Sequence, residues 1–73
     1  MNAYNIVDDR IMLRDTQGDL FEFKLVAEGT ARDLRLVGLP SWRKAGVPKH
    51  AEARMDIATV TARQIARQNN LLG

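Results

Sequence analysis

The 73 residues carry 11 Lys/Arg, 9 Asp/Glu, one His and no Cys, a formal charge of +2. That composition allows one small domain and excludes disulfide staples and thiolate metal sites, which suits a reducing cytosol. A chain this short buries about 60% of its unfolded surface or a little more, so its stability must come from one small core.

The first half reads as an antiparallel meander. Tyr4 to Val7 is a short, largely apolar strand. Asp8-Asp9 follows as a two-residue turn, because Asp tolerates the left-handed backbone such a hairpin needs. Arg10 to Arg14 continues as a second strand, with Ile6 facing Ile11 and Tyr4 facing Leu13. Thr16-Gln17-Gly18 is the next turn, with Gly at the third loop position of a bulged hairpin. It sets Leu13 against Phe21, Ile11 against Phe23, and Asp15 against Asp19. The last of these opposes two like charges and counts against the register.

Leu20 to Ala27 is the clearest strand, since Phe21, Phe23, Leu25 and Ala27 alternate with Glu22 and Lys24. A loop at Glu28-Gly29-Thr30-Ala31 pairs Leu25 with Leu34 and Phe23 with Leu36. Three separate turns thus agree on one apolar face, which a single-residue slip at any of them would destroy.

Gly38-Leu39-Pro40 ends the sheet. Ser41 is placed to cap one helical turn, Trp42 to Ala45, closed by Gly46. Pro48 suits the first position of a helix that runs to about Gln68. Ala51, Met55, Ala58, Ala62, Ile65 and Ala66 form its apolar stripe, with Ile57 and Val60 off it. Thr59-Val60-Thr61 is a β-branched run that weakens it. Asn69 to Gly73 reads as a frayed tail. The expected fold is α+β: three or four antiparallel strands over residues 3–39, a linker over 40–47, and one C-terminal helix over about 48–68. The expected core is Ile6, Ile11, Leu13, Phe21, Phe23, Leu25, Leu34 and Leu36, with Met55, Ala58, Ala62 and Ile65 from the helix.

Charge is uneven along the chain. Residues 1–33 hold four Lys/Arg against seven Asp/Glu, and residues 34–73 hold seven against two. Such asymmetry suits an acidic or nucleic-acid partner for the second half, or two halves that attract each other. No apolar run approaches the roughly 20 residues of a membrane span, and the start Met1-Asn2-Ala3-Tyr4-Asn5 has no basic-then-apolar leader pattern. A cytoplasmic setting, in whatever cell makes or hosts the chain, is expected.

No constellation for catalysis stands out. A triad would need Ser41 and His50, each the only one of its kind, but no nucleophile-elbow glycines flank Ser41. His50 reads as an exposed residue of the first helical turn. Asp8, Asp9, Asp15 and Asp19 are turn formers without the alternating acidic spacing of a calcium loop. Glu52 and Asp56 read as a solvated helix face. No phosphate-loop glycine pattern occurs, so no cofactor is expected.

Two binding patterns remain. Thr61 to Leu71 resembles the first helix of a helix-turn-helix, but no recognition helix follows it in this sequence. Arg43, Lys44, Lys49, Arg63 and Arg67 are candidates for phosphate contact. Pro40-Ser41-Trp42-Arg43-Lys44 brings Trp and Arg, both enriched at interface hot spots, into one segment; the alternative is that the lone Trp caps the open end of the small core. The outer strands, Tyr4 to Val7 and Asp33 to Val37, are edges that a partner strand could join.

With its acidic, β-rich first half and basic helical end, from Met1-Asn2-Ala3-Tyr4 to Asn70-Leu71-Leu72-Gly73, the chain resembles the small RNA-polymerase-binding regulators of lytic Xanthomonas phages. The resemblance lies in length and sequence style and carries no motif, so no residue role transfers with it. It implies a protein without enzymatic activity that binds host RNA polymerase near the amino-terminal region of the β′ subunit. Such a protein inhibits initiation by disturbing the sigma factor and promotes antitermination. Nascent RNA is a further expected contact. The residues expected to meet the partner are Trp42, Arg43, Lys44, Lys49, Arg63 and Arg67. The alternative is a small basic nucleic-acid-binding accessory protein.

Overall fold

A computed structural model describes residues 2–72. Four strands, β1 (Ala3–Val7), β2 (Arg10–Arg14), β3 (Leu20–Glu28) and β4 (Ala31–Leu36), are followed by one helix, α1 (Ala51–Gln68). The strands form one antiparallel sheet in the order β1-β2-β3-β4. The fold is α+β, with the helix laid on one face of the meander.

The register follows from the turns. Asp8 takes φ 55° in the two-residue turn, and Ile6 then pairs with Ile11 and Tyr4 with Leu13. Gly18, at φ 85°, allows the bulged turn, and Leu13 pairs with Phe21. The final hairpin pairs Phe23 with Leu36 and Leu25 with Leu34. Because side chains alternate across a strand, these pairings put Ile11, Leu13, Phe21, Phe23, Leu25, Leu34 and Leu36 on the helix side, with Met12, Leu20 and Val26 on the other.

Ile11, Leu13, Phe21, Phe23 and Leu34 are buried there against Ala58, Ala62, Ile65 and Ala66 of α1. Small residues on the helix let it sit close to the two Phe rings. Ile6, Leu25, Leu36 and Met55 flank this core and are half-buried. Ile57 and Val60, off the stripe, are exposed. Thr59 and Thr61 return their hydroxyls to the carbonyls of Met55 and Ile57, which satisfies them within the helix.

Five expectations fail between and beyond these elements. The strand β4 ends at Leu36, and the segment 42–45 forms bends in place of a helical turn. Ser41 does not cap it: Ser41 and Leu20 exchange backbone hydrogen bonds of 2.8 and 2.9 Å, which ties the loop to the start of β3 and leaves Pro40 buried. Pro48 is not the first helical residue, because His50, left-handed at φ 59° and ψ 32°, breaks the chain between them and α1 begins at Ala51. Nor is the tail frayed through Leu72. Asn70 is left-handed, its N–H reaches Arg67 O, and the Leu71 N–H reaches Ala66 O at 2.8 Å. This is a Schellman closure, and it folds Leu71 and Leu72 back onto the core. Gly73 lies outside the described residues.

Candidate functional site: a basic cleft at the start of the helix

The hairpin between β2 and β3 supplies the floor of the site. Asp15 Oδ1 accepts the N–H groups of Gln17 and Asp19 at 2.9 and 3.0 Å, a local turn that such a short acidic side chain favours. Asp19 is 4% exposed, and both its oxygens are used. Oδ1 accepts the Arg43 N–H at 2.8 Å, and Oδ2 accepts Arg54 Nη2 from α1. The same Arg54 nitrogen lies 3.3 Å from Asp15 Oδ2. The two facing carboxylates that count against the hairpin register in the sequence are therefore bridged by one guanidinium from the helix, which offsets part of their repulsion.

Trp42 is held by this network. Its ring meets Phe21 edge-on, with centroids 5.8 Å apart and planes at 90°, and the Arg54 guanidinium lies 5.4 Å from its centroid. The indole is half-buried, so it closes the end of the core and also presents a face to solvent. Replacing Trp42 by Ala would consequently disturb the fold, as the capping alternative for a lone Trp implies, and the two readings of this residue coexist in a half-covered indole.

Above Trp42 opens a cleft of about 540 Å³, rimmed by Arg43, Lys44, Lys49 and His50. All four rim residues are exposed. Among the described residues, no carboxylate forms an ion pair with Arg43, Lys44 or Lys49, although Arg10, Arg35, Arg54 and Arg63 are all paired. The loop that carries them starts at a residue pinned to Asp19 and ends at an uncapped helix start, where no side chain meets the free N–H groups. Their positive ends add to the cationic rim.

The six candidate contact residues split into two groups. Trp42, Arg43, Lys44 and Lys49 share this cleft. Arg63 and Arg67 lie toward the other end of α1, a helix of 18 residues and about 27 Å. There they line a shallow depression with Arg32, Asp33 and Leu72. Arg63 is not a free cation: its Nε and Nη2 lie 3.0 and 3.3 Å from the Asp33 carboxylate. That contact, with the Leu34 N–H at 2.8 Å, holds the Asp33 carboxyl below its ordinary value of 3.8. The hydrogen bond from Arg63 is the largest cause, and the nearby charges of Arg63 and Arg67 act in the same direction.

Sequence reasoning missed His50 as part of the rim, and it missed Arg54 and Asp19 as the support. One signal for Arg54 was present: two Asp residues facing each other across a hairpin require a cation. No cluster of three His, Cys, Asp or Glu residues that could hold a metal occurs among the described residues. No helix among them is long and apolar enough to cross a membrane. In comparison with known proteins, the chain matches no family model, no curated protein and no solved structure.

Proposed function

We propose that this chain is a phage-type regulator that binds host bacterial RNA polymerase, at the amino-terminal region of the β′ subunit, and acts by occupying that surface. Its effect would be to disturb sigma-factor association at initiation and to favour read-through at terminators. The observation that carries the reading is the set of unpaired cations Arg43, Lys44 and Lys49 around the half-covered Trp42. Leaving three cations unneutralised on a loop pinned to the core favours contact with an acidic surface and steers association with it. Trp beside Arg supplies the kind of anchor that dominates interface energies. The overall resemblance of the chain to polymerase-binding phage regulators supplies the partner. The mechanism needs no cofactor and no chemistry.

The test uses purified polymerase core and holoenzyme with nucleic acid removed. Binding to core, release of sigma, and loss of both in an Arg43→Glu/Lys44→Glu/Lys49→Glu variant would support the reading. Absence of binding to either form would end it. The same unpaired cations also favour a second reading, a nucleic-acid-binding accessory protein. It requires binding to bare RNA or DNA that falls steeply with salt, with a log–log slope near the number of phosphates contacted.

A further inference from the structure

The two margins of the sheet differ in kind. In antiparallel strands, successive residues direct their N–H and C=O groups alternately to the two sides. The two-residue turn after Val7 sets Val7, Asn5 and Ala3 to bond β2, so Tyr4 and Ile6 direct theirs outward. On β4 the outward residues are Arg32, Leu34 and Leu36. There the Leu34 N–H is already taken by Asp33 Oδ1, and Arg63 grips the same carboxylate. That margin is plugged and carries charge.

The β1 margin has neither protection. Ala3-Tyr4-Asn5-Ile6-Val7 contains no charge and no Pro, the devices that usually blunt an edge. No described hydrogen bond outside the sheet ladder uses Tyr4 or Ile6. The helix lies over β2, β3 and β4 and not over β1, of which only Ile6 packs against the core. Tyr4, on the helix side of the sheet, is consequently 49% exposed, and Ile6 is half-buried. Ile57, 67% exposed, borders a groove of about 300 Å³ between Leu13 and Ala58 on one side and the polar turn Asp15-Thr16-Gln17 on the other. At the carboxyl end of β1 stand Asp8 and Asp9, both exposed and without an ion-pair partner among the described residues.

We infer that β1 is a strand acceptor, whose outer edge takes an extended segment of a partner protein, antiparallel, with alternate apolar side chains laid over Tyr4 and Ile6. The backbone bonds would supply affinity and the alternation specificity. In this direction the amino-terminal end of the incoming segment lies beside Asp8 and Asp9, so a Lys or Arg belongs there. A second copy of this chain is a poorer occupant. Its β1 contains no cation to set beside Asp8 and Asp9. The inference rests on the reading of this chain as a protein-binding module but not on which protein it binds.

The probe is a synthetic peptide, acetyl-Lys-Lys-Val-Thr-Val-Thr-Val-amide, titrated into the ¹⁵N-labelled full chain and followed by amide shifts and hydrogen exchange. The Tyr4 and Ile6 amides should shift and exchange at least tenfold more slowly, with Leu34 unchanged. N-methylation of the Tyr4 nitrogen in the synthetic chain should abolish this while leaving the β1–β2 ladder intact. An independent variant, Asp8→Asn/Asp9→Asn, should weaken the peptide several-fold with the fold unaltered, since Asn also tolerates the left-handed turn. Shifts confined to the Trp42 cleft, no shifts at millimolar peptide, or protection of Tyr4 and Ile6 by self-association without peptide would each overturn the inference. Because the probe contains no polymerase, the result stands apart from the polymerase assay, and either can fail alone.

Discussion

Arg54, in the first turn of α1, donates a hydrogen bond to Asp19, 35 residues earlier in the chain, and that carboxylate is 4% exposed. A buried charge survives only with a partner, and Asp19 has two, the guanidinium of Arg54 and the N–H of Arg43. The pair therefore ties helix, hairpin and basic loop at one point, beneath the cleft.

Arg54→Met should cost about 3 kcal/mol, because it leaves Asp19 buried without its cation and also removes the charge from the Trp42 face. Urea unfolding checks this. An Asp19→Asn/Arg54→Met double variant should recover part of the loss, and a double loss equal to the sum of the single ones would show that the two residues act independently.

Trp42→Ala should destabilise the chain by about 2 kcal/mol, since the ring packs on Phe21 but is only half-buried. Lys44→Glu and Lys49→Glu should change stability by less than about 0.5 kcal/mol, as exposed positions without partners. Thermal unfolding of the three variants separates them, and a binding loss in the Lys variants can then be assigned to contact and not to unfolding.

The Asp33 carboxyl should titrate below 3.8, and Arg63→Ala should return it toward the ordinary range. A carboxyl whose pKa is depressed on folding contributes stability above its unfolded value, and that contribution is lost as pH falls through the folded value. The helix–β4 tie should therefore survive mild acid and weaken only below pH 3.8. Carboxyl ¹³C shifts followed with pH report this directly, and a midpoint at or above the ordinary value would contradict it.

His50 holds a left-handed conformation that costs a residue with a Cβ about 1 kcal/mol relative to Gly. His50→Gly should raise stability by about that amount, or by about 4–8 °C in melting temperature for a chain of this size. A fall in melting temperature would mean that the imidazole makes a stabilising contact in solution.

The sheet was legible because two local rules, the alternation of Phe21, Phe23 and Leu25 and the turn preferences of Asp8 and Gly18, gave the same answer at three hairpins. The loop was not, because its course is set by distant partners: Leu20 captures Ser41, and Asp19 captures Arg43. Propensity alone makes Ser41 a cap and Pro48 a helix start; the backbone bonds to Leu20 override the first, and the left-handed turn at His50 the second. The site was half legible for the same reason. Trp42 and its basic neighbours advertise themselves by residue type, but Arg63 looks as free as Lys49 until the fold brings Asp33 beside it. The closing turn at Asn70 was readable in principle, since Asn is the common substitute for Gly at a left-handed helix end.

The strand order of the sheet is the order of the chain, so every strand finds its neighbour across a short turn. Little loop entropy is lost before each hairpin is rewarded, and contact order is low for so β-rich a molecule. Such a sheet can assemble hairpin by hairpin as the chain leaves the ribosome, before α1 exists to cover it. The last long-range step is then the docking of that helix, sealed when Arg54 reaches Asp19. A chain with this topology has no long crossover to close before its strands can pair.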